Sequence, residues 1–315
     1  MTPPRTHGLT RGYSAPVVLD VAVVVVTYNS ADHVAGLLDS IPSAMADLTF
    51  SVVVVDNGSS DDTCTMLERR TDCTLARSSN LGYASGVNRG IASSPPARTY
   101  LILNPDATLD PDSVPVLLEV VGRAGVGVVA PRVREADGSL SPTLRRKPSL
   151  ARAGGLSFTG IAAFAERIED PGEYELEHEV DWAVGAILLI DADCYRAVGG
   201  LDESYFLYSE ETDFSLRARD LGWSTVYTPR AGGMHVGGGS GESATTHTMK
   251  IINRVRIYRR RAGTPLAWAY FVITVGNELR RAVLGHRRSW STLAALMRPG
   301  RRPEVLGASE HLLPD

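Results

Sequence analysis

The chain predicts a doubly wound, mostly parallel α/β sheet followed by a C-terminal helical extension, and three features carry that prediction. Val21 to Thr27 is a continuous, β-branched apolar run, as expected of a strand buried on both faces of a parallel sheet, and Ser51 to Asp56 repeats it. Between them Ala31 to Ile41 has apolar residues at helical spacing. Strands alternating with helices in this way place ligands at the carboxyl ends of the strands.

The remaining elements follow in order. Ser60 to Arg70 reads as a second helix, Thr74 to Ala76 as a short third strand, Tyr83 to Ala92 as a helix, and Tyr100 to Leu103 as a fourth strand ending in Asn104-Pro105-Asp106. Val126 to Val133 with the Asp137-Gly138 turn predicts a strand and hairpin, and Arg145 to Glu179 is a long, irregular connection of the kind that often carries function. Trp182 to Ile190 predicts one further buried strand, and Asp191 caps a short helix to Val198. An acid-rich helix spans about Glu210 to Leu221. Ser224 to Tyr227 is a strand leading into Met234-His235 and a flexible Gly237 to Gly241 loop; from about Thr245 the chain reads as helix. The expected organisation is an N-terminal extension over 1–19, the α/β domain over 20–244, a basic helical module over 245–302 and a flexible tail over 303–315.

Composition narrows the function classes. At 315 residues and 43% hydrophobic content the chain can bury a substantial core. Cys64, Cys73 and Cys194 have no Cys-x-x-Cys spacing, so neither a disulfide framework nor a zinc ribbon is expected, and a reducing, cytoplasmic setting is. The first twenty residues lack the apolar core of an export signal, and the longest apolar stretch, Pro265 to Gly276, is too short for a spanning helix. Thirteen Lys or Arg stand against Glu278 alone between Lys250 and Arg302, leaving −16 of the net −4 elsewhere. With Trp268, Tyr270, Phe271 and Trp290 among them, these helices suit either peripheral contact with the inner face of a cell membrane or packing on the main domain, and an oligomer is compatible. No nucleic-acid recognition motif accompanies the charge.

Polar residues collect where strands end. Asp56-Asn57-Gly58-Ser59-Ser60 offers a carboxylate to a nucleobase N–H or ribose hydroxyl and also suits an Asx turn. Gly86 and Gly90 allow a helix close approach, to a diphosphate or to the sheet. Asp106 at a strand end can hold a divalent cation, since Mg²⁺ takes few protein ligands and keeps phosphate oxygens and waters; His235 is its natural partner. Asp110 and Asp112 read as turn residues. In Ser209-Glu210-Glu211-Thr212-Asp213 three carboxylates crowd a helix start, where Ser209 suits an N-cap, the acids complement the helix dipole and Asp213 can pair with Arg217. The first strand runs into Thr27-Tyr28-Asn29-Ser30 and not into a glycine-rich turn, which argues against a dinucleotide-binding Rossmann domain.

Taken together, Val26-Thr27-Tyr28-Asn29-Ser30, Val55-Asp56-Asn57-Gly58-Ser59, Asn80-Leu81-Gly82, Asn104-Pro105-Asp106, Gly199-Gly200-Leu201-Asp202-Glu203, the acidic cluster and His235 resemble family 2 glycosyltransferases over about residues 20 to 240. Gly138-Ser139-Leu140 through Pro148-Ser149-Leu150 is similar to a segment of actinobacterial members, and the set looks closest to bacterial rhamnosyltransferases. The resemblance implies a GT-A fold and inverting transfer from a nucleotide-diphosphate sugar, such as dTDP-rhamnose, to a glycan or lipid-linked glycan acceptor in cell-wall or polysaccharide assembly. It implies that Thr27, Asn29, Asp56, Asn80 and Asn104 hold the nucleotide, that Asp106 and His235 bind Mg²⁺ or Mn²⁺, and that Glu211 is the catalytic base. Trp182, Gly185, Asp202 and Glu210 would shape the acceptor side of the cleft. The chain departs from the family pattern at Glu211, usually Asp, and at Asn104, usually the first Asp of the metal motif. Sugar-phosphate nucleotidyltransfer is the alternative enzyme class, though Thr27 to Ser30 lacks its basic, glycine-rich loop. A degenerate, sugar-nucleotide-binding scaffold is the non-enzyme alternative.

Overall fold

The computed structural model describes residues 18–237, 243–306 and 312. Most of the expected N-terminal extension, most of the Gly237 to Gly241 loop and most of the tail lie outside the described residues. The strands are β1 (Leu19–Thr27), β2 (Phe50–Asp56), β3 (Thr74–Arg77), β4 (Ala97–Leu103), β5 (Ala107–Leu109), β6 (Val126–Arg134), β7 (Leu144–Arg145), β8 (His178–Val180), β9 (Trp182–Ala183), β10 (Ile187–Asp191) and β11 (Ser224–His235). The helices are α1 (Val34–Met45), α2 (Thr63–Leu67), α3 (Tyr83–Ser93), α4 (Ser113–Val121), α5 (Leu150–Ala153), α6 (Ala192–Val198), α7 (Glu210–Asp220), α8 (Ala244–Arg261), α9 (Thr264–Val283) and α10 (Arg288–Met297).

One nine-stranded sheet runs β3-β2-β1-β4-β10-β6-β11-β5, with β8 also on β11, while β7 and β9 form a separate ribbon. Strands β1 to β4 are mutually parallel; β10 is antiparallel to both neighbours. Side chains alternate along a strand, so β1 sends Val21, Val23 and Val25 toward α1 and α4, and Val24 and Val26 toward α3, α6 and α7. Burying each such valine contributes about 1.5–3 kcal/mol. On α3, a Cβ at Gly90 would come within 2.4 Å of Val24 and one at Gly86 within 2.7 Å of Val26. These glycines therefore serve close packing on β1, and not approach to a diphosphate.

Several expected boundaries move for identifiable reasons. Helix α1 starts at Val34 and continues through Pro42, whose lost backbone bond is offset by full burial of Ala44 and Met45 beyond it. Helix α2 shrinks because Asp61 makes a turn, accepting from Ala31 N and from Thr63 N and Oγ1. The single strand expected over Trp182 to Ile190 is two: the chain leaves β7 at Val184, whose N–H bonds Thr143 O, and joins β4 after Ala186, whose carbonyl accepts from Asn104 N. Strand β11 runs on to His235 past a register break between Thr228 and Gly232. Its second half was hidden because Gly232 and Gly233 are poor strand formers. They are required there: a Cβ on Gly233 would lie 2.5 Å from Thr108 O.

The C-terminal helices pack on one another around Ile252, Val255, Tyr270, Phe271, Ala295 and Leu296, with Tyr258 and Tyr270 stacked at 4.1 Å. Much of their basic charge points inward. Arg254 pairs with Glu166, Arg260 with Asp202 and Arg261 with Asp220, while buried Arg256 donates to Ser204 O and lies over the Tyr205 ring. Among the described residues no helix is long and apolar enough to cross a membrane.

Candidate active site

The site is assembled at the carboxyl ends of β1, β2 and β4. Buried Asp56 ends β2 and accepts from Thr27 Oγ1 at 3.0 Å, from Gly58 N at 3.1 Å, from Ser59 N at 2.9 Å and from the Ser59 hydroxyl. A carboxylate has about four lone-pair sites, so Asp56 is saturated by its own loop, and these bonds, with one from the Cys64 thiol, outweigh burial and hold its pKa below the usual range. Thr27 is likewise spent on Asp56. Exposed Asn29, in the left-handed region at φ 51°, accepts from Ser60 N at 2.8 Å and ties the β1 loop to the β2 loop. Of the residues expected to hold a nucleotide, Thr27 and Asp56 thus build the loop, and Asn29 and Asn80 are the ones at its surface. Asn80 accepts from Gly82 N at 3.2 Å.

Asp106, between β4 and β5, meets His235, the last residue of β11. Asp106 Oδ1 lies 3.1 Å from His235 Nε2, and backbone pairing of β5 with β11 and of Val236 N with Asp106 O fixes the two main chains. Burial raises the Asp106 pKa, but the bond and charge of His235, with a contribution from His33, bring it below the usual value. Two cis ligands of an octahedral cation at about 2.1 Å stand about 3 Å apart, so this pair fits a divalent cation that keeps its other positions for phosphate and water. Among the described residues no cluster of three His, Cys, Asp or Glu can form a closed cage. Asn104 completes the group: its Nδ2 is 3.4 Å from His235 Nε2, and its Oδ1 accepts from Tyr83 Oη at 3.1 Å.

Across Tyr83 lies the acidic pair. Glu210 is 3% exposed, and its Oε2 has no hydrogen-bond partner. Burial, then the charge of Glu211, pushes its pKa well above the usual range. Half-buried Glu211 is raised as well, chiefly by burial, against N–H donation from Gly185 and its own backbone and the positive charges of Arg145 and Lys250. Of the two, Glu211 faces the opening. It lines a small cavity with Tyr83, Gly185 and Phe214. A Cβ on Gly185 would clear Glu211 by 3.9 Å, so Gly185 contributes its N–H and not missing bulk. Burial also lifts the Asp213 pKa despite its 2.6 Å pair with Arg217.

The helix start differs from the expected cap. Ser209 makes no side-chain cap bond; Tyr208 and Ser209 both have positive φ, 68° and 84°. Such residues cost about 1–3 kcal/mol each unless held. Asn253 of α8, fully buried, holds this turn by donating to Leu207 O and Tyr208 O at 3.1 and 2.8 Å. Gly82 meets the same loop: at φ 97° its missing Cβ leaves room for Phe206 O, which accepts from Tyr83 N. Trp182 is buried and donates to Arg146 O, so its face serves Arg145, whose guanidinium lies 5.9 Å from the ring centre. Asp202 is committed to Ser204 N and Arg260 and anchors α8. Tyr83, Arg145 and Asn253 were not singled out from sequence, because their roles arise from contacts with distant segments.

A GT-A sheet with an Asp–His pair and a glutamate pair near its strand ends is an arrangement suited to a glycosyltransferase. Residues 22–173 match Glycosyl transferase family 2. A Mycobacterium tuberculosis protein named N-acetylglucosaminyl-diphospho-decaprenol L-rhamnosyltransferase is 33% identical over 234 residues, spanning 68% of this chain and 75% of that one. The chain belongs to glycosyltransferase family 2. Similar solved structures include S. aureus TarS 1-349, at TM-score 0.53 and 13% identity over 94% of this chain and 83% of that one. The Pyrobaculum calidifontis mannosyltransferase PcManGT, solved with GDP-Man and Mn²⁺, has TM-score 0.53 and 16% identity over 89% and 81%.

Proposed function

We propose that the protein transfers a sugar, best matched by rhamnose from dTDP-rhamnose, with inversion onto a glycan or lipid-linked glycan acceptor in cell-wall or polysaccharide assembly. The observation that supports this reading is the position of Tyr83, which lines a small cavity with Glu211 and donates to Asn104, itself beside the His235–Asp106 pair. The rhamnosyl and lipid-linked assignments draw on the name of the mycobacterial relative.

On this reading Asn29 and Asn80 contact the nucleoside, while Thr27 and Asp56 keep the loop in shape. Asp106 and His235 hold the divalent cation, Mg²⁺ or Mn²⁺, which when bound offsets charge on the leaving diphosphate. Glu211 takes the proton of the acceptor hydroxyl as its oxygen bonds the anomeric carbon and the bond from that carbon to the diphosphate oxygen breaks; attack from the opposite face inverts the centre. The raised Glu211 pKa suits a base, since proton affinity near the working pH favours transfer. Work at the inner face of a membrane fits the outer side of α9, where Trp268, Val272, Leu279 and Val283 are exposed, beside exposed Arg287.

Calorimetric titration of dTDP-rhamnose, UDP-N-acetylglucosamine and GDP-mannose, with Mn²⁺ and with EDTA, tests the donor reading. Metal-dependent binding strongest for dTDP-rhamnose is expected; no metal-dependent binding of any nucleotide sugar overturns the reading.

A further inference from the structure

A cavity of about 530 Å³ lies between the irregular segment after β7 and helices α8 and α9. That is within the range of small-molecule sites. Five Arg or Lys side chains and three Glu line it. All three carboxylates are paired within the wall, Glu166 with Arg254 at 2.8 Å, Glu278 with His247 at 3.2 Å and, more loosely, Glu169 with Arg167 at 3.6 Å, where both side chains are more than half exposed. Among the described residues Arg152 forms no ion pair, and its buried Nε has no acceptor.

The positive charge continues toward the glutamate pair. Arg145 is bridged by backbone pairing to Arg167 of the cavity wall. Its Nη1 donates to the carbonyls of Pro142 and Leu144, and among the described residues its Nε and Nη2 make no hydrogen bond and no carboxylate forms an ion pair with it. Burial and the neighbouring charge of Arg167 lower its pKa to about 10, so it remains a cation at neutral pH. Arg145 and the cavity residue Lys250 are the positive charges felt by Glu211, whereas Asp106 feels His235 and His33. The Arg145 guanidinium therefore acts on Glu211, the base of the proposed transfer.

The rim is apolar. Phe158, 73% exposed, lies beneath Arg280 of α9, and Ile161 follows it at 52%. Bidentate guanidinium groups over an exposed apolar lip suit a diphosphate esterified to a hydrocarbon chain.

We propose that this cavity binds the diphosphate of a prenyl-linked acceptor, held by Arg167 of its wall, in exchange for Glu169, and by Arg145 beside it, with Phe158 and Ile161 meeting the first units of the chain. The site rests on the transfer to a lipid-linked acceptor proposed above and adds to it the residues that recognise that acceptor. A diphosphate held here sets the attached sugar's hydroxyl toward Glu211.

Farnesyl diphosphate is the probe, titrated calorimetrically against the full chain in EDTA so that the cation pair cannot contribute. Binding is expected, with excess dTDP failing to displace it and farnesol binding at least tenfold more weakly. Arg145→Gln and Arg167→Gln are each expected to weaken the diphosphate about tenfold, from loss of one charge-assisted contact. Arg167 is exposed, so its replacement leaves the fold intact even if Arg145→Gln does not. Displacement by dTDP, equal binding of farnesol, or affinity within twofold of the parent for Arg167→Gln and a folded Arg145→Gln overturns the proposal. The same samples are titrated with nucleotide sugar and Mn²⁺. Donor binding without farnesyl diphosphate binding sinks this site alone, whereas farnesyl diphosphate binding without donor binding sinks the transfer reading.

Discussion

Replacing Glu211 with Gln isolates proton acceptance from every other property of the site. The amide keeps the side chain's length and can still accept from Gly185 N–H, although a neutral acceptor binds more weakly than a carboxylate by about 1 kcal/mol. Donor affinity should stay within a few fold of the parent, because the Asp106–His235 pair and the β1–β2 loop are untouched. Turnover should fall about a hundred- to ten-thousandfold, the usual share of general-base assistance, or about 2.7–5.5 kcal/mol of barrier. Stability should move the other way. A carboxyl whose folded pKa is raised adds stability that is complete below its ordinary value of about 4.3 and is lost as pH rises through the folded value, so at pH 7 ionised Glu211 strains the fold. The variant should therefore melt at or above the parent temperature. Release of nucleoside diphosphate, read with a coupled assay once an acceptor is in hand, gives turnover; calorimetry and a melting curve give the other two. Transfer by Glu211→Gln at nearly the parent rate, with Glu210→Gln or Asp213→Asn inactive yet folded, would show that the base sits elsewhere in the cluster.

Three further outcomes follow from the same geometry. Asp106→Ala should weaken Mn²⁺-dependent binding of nucleoside diphosphate at least tenfold, since only His235 remains to hold the cation; unchanged calorimetric affinity removes Asp106 from the metal site. The acid limb of kcat/KM against pH should lie above the ordinary Glu value, and Arg145→Gln should move it to higher pH by removing a charge that favours ionised Glu211; a limb that stays put or moves down refutes that coupling. In sedimentation with vesicles, the chain should prefer anionic over neutral lipid at low salt, less so at physiological salt, and Trp268→Ser with Val272→Ser should reduce binding to both; indifference to lipid charge and to both substitutions assigns the α9 face to another contact.

The parallel half of the sheet was legible because its strands are uniform valine runs and its helices are amphipathic, signals that lie within a dozen residues. Strand β10 and the far half of β11 were harder: one is joined to β9 through Val184 to Ala186 without an apolar break, and the other passes through two glycines that only the neighbouring β5 explains. In the site, ordered motifs indicated Asp106, His235 and the acidic cluster. They could not distinguish a side chain that faces the cleft from one spent on its own loop, as Asp56 is, or on a remote helix, as Asp202 is by Arg260. Nor could spacing place Asn253 beneath the Tyr208 turn, since 45 residues separate them.

Inverting transfer from a metal-dependent nucleotide-sugar donor leaves its signature in the linkage of the product. The most direct measurement is the NMR anomeric configuration of the product made from dTDP-rhamnose and a prenyl-diphosphate-linked N-acetylglucosamine acceptor, with Mn²⁺ or EDTA present. An inverted linkage formed with Mn²⁺, absent in EDTA and lost in Glu211→Gln, is expected. A product that retains the donor's configuration, or one formed equally well in EDTA, contradicts inverting, metal-dependent transfer.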